Sequence, residues 1–445
     1  MPLLYNIFEM RRGSMKVGLV SLGCAKNLVD SEMILSLMKR NDFEIVNSQE
    51  EADIIIVNTC GFIESSKKES IDTIFEMAAL NKILVVTGCL VERYKEELEK
   101  EIPEVDLFLA IRDYPNFSEL LNQVIRSKNI KGNLDLSQRV ISTQKFSAYL
   151  KISEGCNNCC TYCAIPLIRG KFKSIDKTDI INQALKLKDQ GVKELVVISQ
   201  DTTRYGSDIT SYKTDIVDLL KELLKIKEFD YIRLLYLYPD EISDELIELM
   251  GKEKRLTPYF DIPIQHCSDK ILSSMHRRGN KEFLINLFSK IKQKVPNAIL
   301  RTTLIVGFPG ETDQDFDELM NFIKEIEFDH LGAFTYSREE GTASYEFDLQ
   351  VDEKIKKARY RKIMAAQKKI SLKKNKMRIG EIHEGLVIKY DFTSNCYYLR
   401  SHFNAPDDID GSIIFKSDRS LEEGMIVKVK ITSCDSYNLY GELID

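Results

Sequence analysis

Ala148-Tyr149-Leu150-Lys151-Ile152-Ser153-Glu154-Gly155-Cys156-Asn157-Asn158-Cys159-Cys160-Thr161-Tyr162-Cys163 begins as a short, mainly apolar run and ends as a loop with four cysteines. A strand that delivers a metal-ligating loop at its carboxyl end is the entrance of a β/α repeat. Further strands are expected near Leu195–Ile198, Ile232–Tyr236, Tyr259–Ile262, Leu300–Val306 and Leu331–Phe334, with helical stretches between them. Six such strands predict an incomplete β/α barrel whose chemistry sits at the carboxyl ends.

Within the loop, Cys156, Cys160 and Cys163 are spaced C-x3-C-x2-C. Three thiolates on one loop can hold three irons of a [4Fe-4S] cluster and leave the fourth open. An open iron can chelate the amino and carboxylate groups of S-adenosylmethionine, and an electron can then cleave the sulfonium to a deoxyadenosyl radical. The competing reading is zinc, because Cys156/Cys159 and Cys160/Cys163 also form two C-x2-C pairs. Adjacent Cys159 and Cys160 would then have to turn toward one tetrahedral ion within a very short loop, which favours the cluster with Cys159 as a bystander.

Upstream, from Lys16 to about Val124, short strands alternate with helices: Lys16–Val20, Asp53–Val57 and Ile83–Val86 read as strands, Ser31–Arg40 and Ser65–Leu80 as helices. This is a parallel α/β sheet. Cys24, Cys60 and Cys89 each fall just past the carboxyl end of one of those strands. Those ends share one edge, so cysteines far apart in sequence can converge there and bind a second three-thiolate cluster. A lone cysteine at such a place is ordinarily a small packing residue.

Downstream, Asp352–Arg378 reads as one long basic helix. Its Ile355, Ile363, Ile370 and Met377 suggest an apolar seam with a solvated charged face, although so basic a helix could also touch nucleic acid. After Gly380, short β runs such as Gly385–Ile388 and Met425–Val429 predict a small β-barrel. The expected domains are therefore 15–127, 145–378 and 381–445, with no internal repeat.

Composition bounds these readings. A chain of 445 residues is too long for one ordinary core. No long apolar run or cleavable leader is present, so a cytoplasmic protein with no membrane contact is expected, and its ten cysteines should be reduced. Five histidines tilt the ligand set toward thiolate. Arg11-Arg12-Gly13-Ser14 ahead of Met15 has the composition of a translated ribosome-binding site, so synthesis is expected to start at Met15.

The motifs taken together resemble the methylthiotransferase family over nearly the whole chain from Met15. Ser21–Glu32, Asn58–Ile63 and Gly88-Cys89-Leu90 are similar to its N-terminal domain. The cysteine loop, Pro263–His266, Met275–Arg278 and Gly307–Glu311 resemble its radical domain, and the last module is similar to TRAM. Ala25, where the family usually has proline, and Cys159, where arginine is frequent, depart from the pattern without removing a ligand.

The resemblance implies two [4Fe-4S] clusters, on Cys24/Cys60/Cys89 and on Cys156/Cys160/Cys163, with S-adenosylmethionine at the second. It implies hydrogen abstraction from a substrate carbon, a carbon–sulfur bond closed with sulfur associated with the first cluster, and a methyl group from a second S-adenosylmethionine. A reductant such as flavodoxin or ferredoxin would supply electrons. One branch of the family modifies the β-carbon of an aspartate in a small-subunit ribosomal protein (the twelfth), free or in the ribosome; another modifies an adenosine of tRNA. Ser21–Glu32 and Asn58–Ile63 resemble the ribosomal branch. A non-catalytic, metal-containing RNA-binding protein is the reading from another class.

Charge bears on that choice. From Gly385 onward there are six basic and ten acidic residues, a net charge of −4. RNA-binding modules are basic, whereas an acidic one complements a basic ribosomal protein; the acids can equally be plain surface solvation. Tyr162, Gln200, Asp201, Gly307 and Gly310 are expected near S-adenosylmethionine or substrate, with a simple turn as the other reading of the two glycines. His266 also ends a strand, where substrate or cofactor contact is plausible, although a lone histidine is more often a satisfied structural residue; Cys267, Cys396 and Cys434 read as free thiols.

Overall fold

A computed structural model describes residues 14–126, 128–407 and 409–444. The expected start at Met15 therefore turns largely on residues outside the described ones, as do Ser127 and the acids Asp408 and Asp445. The chain divides into two compact units, one ending at Val140 and one running from Ile141.

In the first unit, β1 (Lys16–Ser21), β2 (Glu44–Ile45), β3 (Ile54–Thr59), β4 (Ile83–Gly88) and β5 (Leu107–Leu109) form one parallel sheet in the order β2-β1-β3-β4-β5. Helices α1 (Ala25–Arg40), α2 (Glu64–Ala78), α3 (Cys89–Glu101) and α4 (Phe117–Val124) connect or follow the strands. β3 is buried along its whole length, which is why Ile54-Ile55-Ile56-Val57 shows no alternation of polar and apolar residues. The sheet thus packs two separate cores, one against each face.

α1 begins six residues earlier than the sequence suggests. Lys26, Asn27 and Asp30 lie ahead of the expected start and are polar in sequence, yet all are buried. Their polar groups obscured the helical period.

In the second unit, β6 (Ser147–Lys151) leads into a small antiparallel pair, β7 (Ser153–Glu154) and β8 (Lys173–Ser174). The wall of the partial barrel continues with β9 (Glu194–Ile198), β10 (Tyr231–Leu234), β11 (Tyr259–Asp261), β12 (Ile299–Val306) and β13 (His330–Thr335). Its strands pair in two parallel triplets, β10-β9-β6 and β11-β12-β13. Thr257 N donates to Ile232 O at 2.9 Å and Leu237 N to Asp261 O at 2.9 Å, stitching the triplets together. Helices α5 (Ile165–Arg169), α6 (Lys177–Asp189), α7 (Ile216–Leu223), α8 (Asp244–Lys252), α9 (Asp269–Ser274), α10 (Lys281–Lys294) and α11 (Asp313–Ile326) intervene. One continuous core joins these helices to the inner strands.

α12 (Glu353–Met377) starts at the side-chain cap of Asp352 and ends at Arg378, so the expected basic helix is one uninterrupted element. Its seam differs from the expected one. Ile363 and Ile370 are buried, but Ile355 and Met377 stand exposed. Lys356, Arg359, Gln367 and Asn375 are buried on the packed face instead.

The chain then closes a five-stranded barrel of β14 (Ile382–Asp391), β15 (Cys396–Ser401), β16 (Ile413–Lys416), β18 (Leu439–Ile444) and β17 (Ile426–Cys434). This barrel rests on the amino ends of the wall strands, away from the cysteine loop. Glu194, the first residue of β9, is sandwiched between Arg233 at 3.4 Å and Arg400 of the small barrel. Arg301 of β12 joins Asp261 at 2.8 Å and Asp410 at 3.4 Å, and Tyr259 donates to Asp410.

Burial by itself raises the Glu194 carboxyl, but Arg400 and Arg233 outweigh it and hold the group below its ordinary range. Its stabilising contribution is therefore present above the ordinary carboxylate pKa and is lost as pH falls through the lowered folded value. Glu194→Ala strands two buried guanidinium groups. It should cost about 3–5 kcal/mol, read as a lower urea midpoint for the second unit; an unchanged midpoint would show that the cluster is not structural.

Candidate functional site

β1, β3 and β4 are neighbours in the parallel sheet, so their carboxyl ends lie one strand spacing apart, about 4.8 Å. Cys24 caps α1 just past β1, Cys60 follows β3 directly, and Cys89 is the first residue of α3 just past β4. Two of the three cysteines thus sit where a helix begins.

Glycines let the loops close on one another. A Cβ at Gly23, whose φ is +87°, would lie 2.9 Å from Cys60 Cβ and 3.0 Å from Cys60 Sγ. A Cβ at Gly61 would lie 2.7 Å from the Leu90 backbone, directly beside Cys89. The Cys24 loop therefore packs on the Cys60 loop, and the Cys60 loop on the Cys89 loop.

Asn27, given no role in the sequence reading, ties these loops together. Its Nδ2 donates to Leu22 O at 3.0 Å and to Thr59 O at 2.9 Å, while its Oδ1 accepts from Cys89 Sγ at 3.3 Å. One fully buried amide thereby touches the loops of Cys24, Cys60 and Cys89. The available signal was a polar residue one turn after a cysteine cap, on the face of α1 that meets the sheet. Burial raises the Cys60 thiol above its ordinary pKa.

In the second unit the cysteine loop is pinned by the backbone. Thr161 N donates to Met275 O at 3.2 Å, Thr161 Oγ1 to Ser274 O at 2.9 Å, and Ser344 N to Thr161 O at 2.9 Å. Asn158 N points at Cys156 Sγ and Ile165 N at Cys163 Sγ, both at 3.5 Å. Such N–H groups stabilise thiolate in the way that iron–sulfur ligands require. Burial pushes the Cys163 thiol up, and Cys160 and Cys156 are the sulfurs that influence it.

Cys159 takes a left-handed backbone, with φ +52°, and its thiol turns outward to Asn157 O. Among the described residues, no three His, Cys, Asp or Glu side chains are close enough to share one metal ion. A four-iron cluster takes each thiolate on a separate iron and needs a wider spread.

Arg277 also escaped the sequence reading. It is 8% exposed, lies 4.0 Å over the Tyr238 ring, and donates to Pro263 O and toward the Cys160 sulfur. Cys160 Sγ is also 3.6 Å from the Tyr238 hydroxyl. Among the described residues Arg277 has no ion pair with a carboxylate; nearby Asp240 and Glu241 are taken by Arg278 at 2.7 and 2.8 Å. A buried cation without a counter-ion is costly. The Cys160 sulfur lies within its reach.

The other expected residues are distributed as follows. Tyr162 is partly buried against Met275, Phe308 and Tyr336. Gln200 donates to Glu154 at 2.6 Å, and Asp201 accepts from Asn158 at 2.8 Å, so both line the floor around the cysteine loop. Open space lies on the Cβ side of Gly310, whereas the same side of Gly307 is filled by Lys356 of α12, 2.2 Å from where a Cβ would be. Glycine at 307 is thus required by packing. His266 is fully buried; its Nδ1 accepts from Ser268 N at 3.0 Å and burial pushes its pKa down to about 3, but its Nε2 has no hydrogen-bond partner among the described residues, so it is not the satisfied structural residue expected. Cys267 is buried, while Cys396 and Cys434 are partly exposed; all three are free thiols.

Family models match three segments: Uncharacterized protein family UPF0004 over residues 16–110, Radical SAM superfamily over 150–323, and TRAM domain over 379–444. The ribosomal protein uS12 methylthiotransferase RimO of Clostridium botulinum (strain Eklund 17B / Type B) is 47% identical over 443 residues, covering 97% of this chain and 98% of the relative. The protein of the same name from Aquifex aeolicus (strain VF5) is 46% identical over 429 residues, covering 96% and 97%.

Among solved structures, the radical S-adenosylmethionine methyltransferase TsrM from Kitasatospora setae, with cobalamin and a [4Fe-4S] cluster bound, superposes with a TM-score of 0.55. At 12% identity, with 83% of this chain and 80% of that one covered, the likeness is one of fold. The near full-length matches settle membership: the chain belongs to the family of ribosomal protein uS12 methylthiotransferases.

Proposed function

We propose that this chain adds a methylthio group to the β-carbon of an aspartate in ribosomal protein uS12. In this reading Cys156, Cys160 and Cys163 hold the cluster that works on S-adenosylmethionine, and Cys24, Cys60 and Cys89 hold a second one. The observation that carries it is the convergence of three cysteine loops, tied by Asn27, at the edge of a sheet that an ordinary radical enzyme does not need. When bound, the first group supplies the electron that splits S-adenosylmethionine, and the second is associated with the sulfur to be transferred.

The chain's own residues prepare both places. Asn158 and Ile165 donate their backbone N–H groups to sulfur, Arg277 neutralises the Cys160 thiolate, and the apolar cluster of Ile271, Met275, Phe308 and Tyr336 keeps water from one side of the loop. Tyr162, Gln200, Asp201 and Gly310 would border S-adenosylmethionine or substrate. The working division is 15–127, 145–378 and 381–445, in the cytoplasm, with a flavodoxin or ferredoxin as reductant. No helix among the described residues is long and apolar enough to cross a membrane.

Purified, reconstituted enzyme should methylthiolate a uS12 peptide and leave tRNA adenosine unmodified; the reverse result would overturn the reading. Arg277→Met removes a positive charge next to a ligand sulfur and should move the potential of the second-unit cluster downward, on the order of 60 mV, the one-electron equivalent of a tenfold change. A redox titration followed by electron paramagnetic resonance reads this. No shift would reduce Arg277 to packing.

A further inference from the structure

The net charge of the chain is −6, yet α12 carries a single acid, Glu353 at its first position, and then eleven lysines and arginines up to Met377. The packed face uses some of them: Arg359 meets Glu311 at 3.0 Å and Asp313 at 2.8 Å, Lys374 meets Asp329 at 2.8 Å, and Lys373 meets Glu327 at 2.6 Å. Lys354, Lys357, Arg361, Lys362, Lys368, Lys369 and Lys376 are exposed. Among the described residues none of these seven makes an ion pair. Lys354, Lys357, Arg361 and Lys368 follow one another at intervals of three, four and seven residues, the spacing of one helix face. From Lys354 to Lys376 this stripe is about 33 Å long at the helical rise. A helix face that merely dissolves a protein mixes both signs, and this one does not.

Beside the stripe lies a cavity of 190 Å³ between α12, β13 and the small barrel. Lys368, Gln367, Asn375, His330 and Tyr437 are among its walls. Gln367 is 4% exposed; its Nε2 donates to Phe328 O and Ser371 Oγ, but its Oε1, buried in this wall, has no partner. Tyr437 is 55% exposed in the turn between β17 and β18. That turn is fixed by Asp435 Oδ1, which accepts from Tyr437 N and Asn438 N at 2.7 Å each. An exposed aromatic on a fixed turn at the mouth, an unused acceptor inside and a cation at the rim suit a planar, hydrogen-bonding ring joined to a negative backbone.

We propose that the exposed face of α12 and this cavity form a site for single-stranded RNA, with phosphates along the lysine stripe and one unstacked base against Tyr437, its N–H groups facing Gln367. Stacking on an aromatic beside a cationic track is the general device for binding single strands. The RNA is that of the small ribosomal subunit, an assignment that rests on the uS12 reading; the stripe and the cavity stand without it. The acidic small barrel is left for the basic protein substrate, and α12 for the nucleic acid around it.

The test uses the full chain with both clusters loaded. Binding of a short mixed-sequence single-stranded RNA is followed by fluorescence anisotropy at several salt concentrations, for the wild type, for Lys354→Gln/Lys357→Gln/Arg361→Gln/Lys368→Gln combined, and for Tyr437→Ala. The fourfold variant should bind at least tenfold more weakly at low salt and lose about 3 units of salt slope. Tyr437→Ala should weaken binding about fivefold or more with its slope intact. Both should still cleave S-adenosylmethionine at the wild-type rate, which shows that they are folded.

RNA affinity unchanged in the fourfold variant, or RNA displaced from the stripe by free uS12, would overturn the proposal. Binding and methylthiolation of tRNA would instead overturn the uS12 assignment while leaving the surface in place.

Discussion

With Cys156, Cys160 and Cys163 all replaced by alanine, the enzyme should form no deoxyadenosine from S-adenosylmethionine, a complete loss rather than a slowing. The three thiols are the sulfurs of the pinned loop, and nothing else among the described residues there offers a ligand set to replace them. The first unit is compact by itself and should keep its iron. Chromatography of the products and iron analysis of the same sample read both outcomes; deoxyadenosine from the triple variant would refute the assignment. Cys159→Ala should change neither, because that thiol turns away from its neighbours on a left-handed backbone.

Replacing Cys24, Cys60 and Cys89 should separate the two halves of the chemistry. S-adenosylmethionine is still split in the second unit, no carbon–sulfur bond forms on uS12, and iron falls by about half, from two clusters to one. The fold should survive. Asn27 keeps its bonds to Leu22 and Thr59 without any thiol, and the loops lie at the sheet edge rather than in either core. Methylthiolated uS12 from this variant would reduce the three cysteines to packing and remove the basis for a second cluster.

Much of this architecture was legible because it follows from one-dimensional patterns. Ile54–Val57 and Leu300–Val306 can only be buried strands, and a cysteine just beyond such a strand has its place in space assigned by the sheet order. Asn27 and Arg277 were not legible, since each acts by contact with residues distant in sequence: Asn27 with Thr59 and Cys89, Arg277 with Cys160 and Tyr238. The seam of α12 was misjudged for a related reason. Periodicity marks apolar residues, whereas Lys356, Arg359, Gln367 and Asn375 are buried by polar partners that only the folded chain supplies.

The small barrel is bolted to the amino ends of the wall strands through Glu194, Arg233, Arg400, Arg301 and Asp410, while the cysteine loop leaves the carboxyl end of β6. A five-residue strand is about 17 Å long, so those two places are held apart by a fixed strut rather than a tether. Any polypeptide that grips the barrel and also presents a side chain to the loop must bridge that gap with at least about five extended residues. A uS12 peptide trimmed below that length on the barrel side is expected to show a raised KM with its kcat intact in a steady-state methylthiolation assay; an unchanged KM would show that the barrel does not hold the substrate.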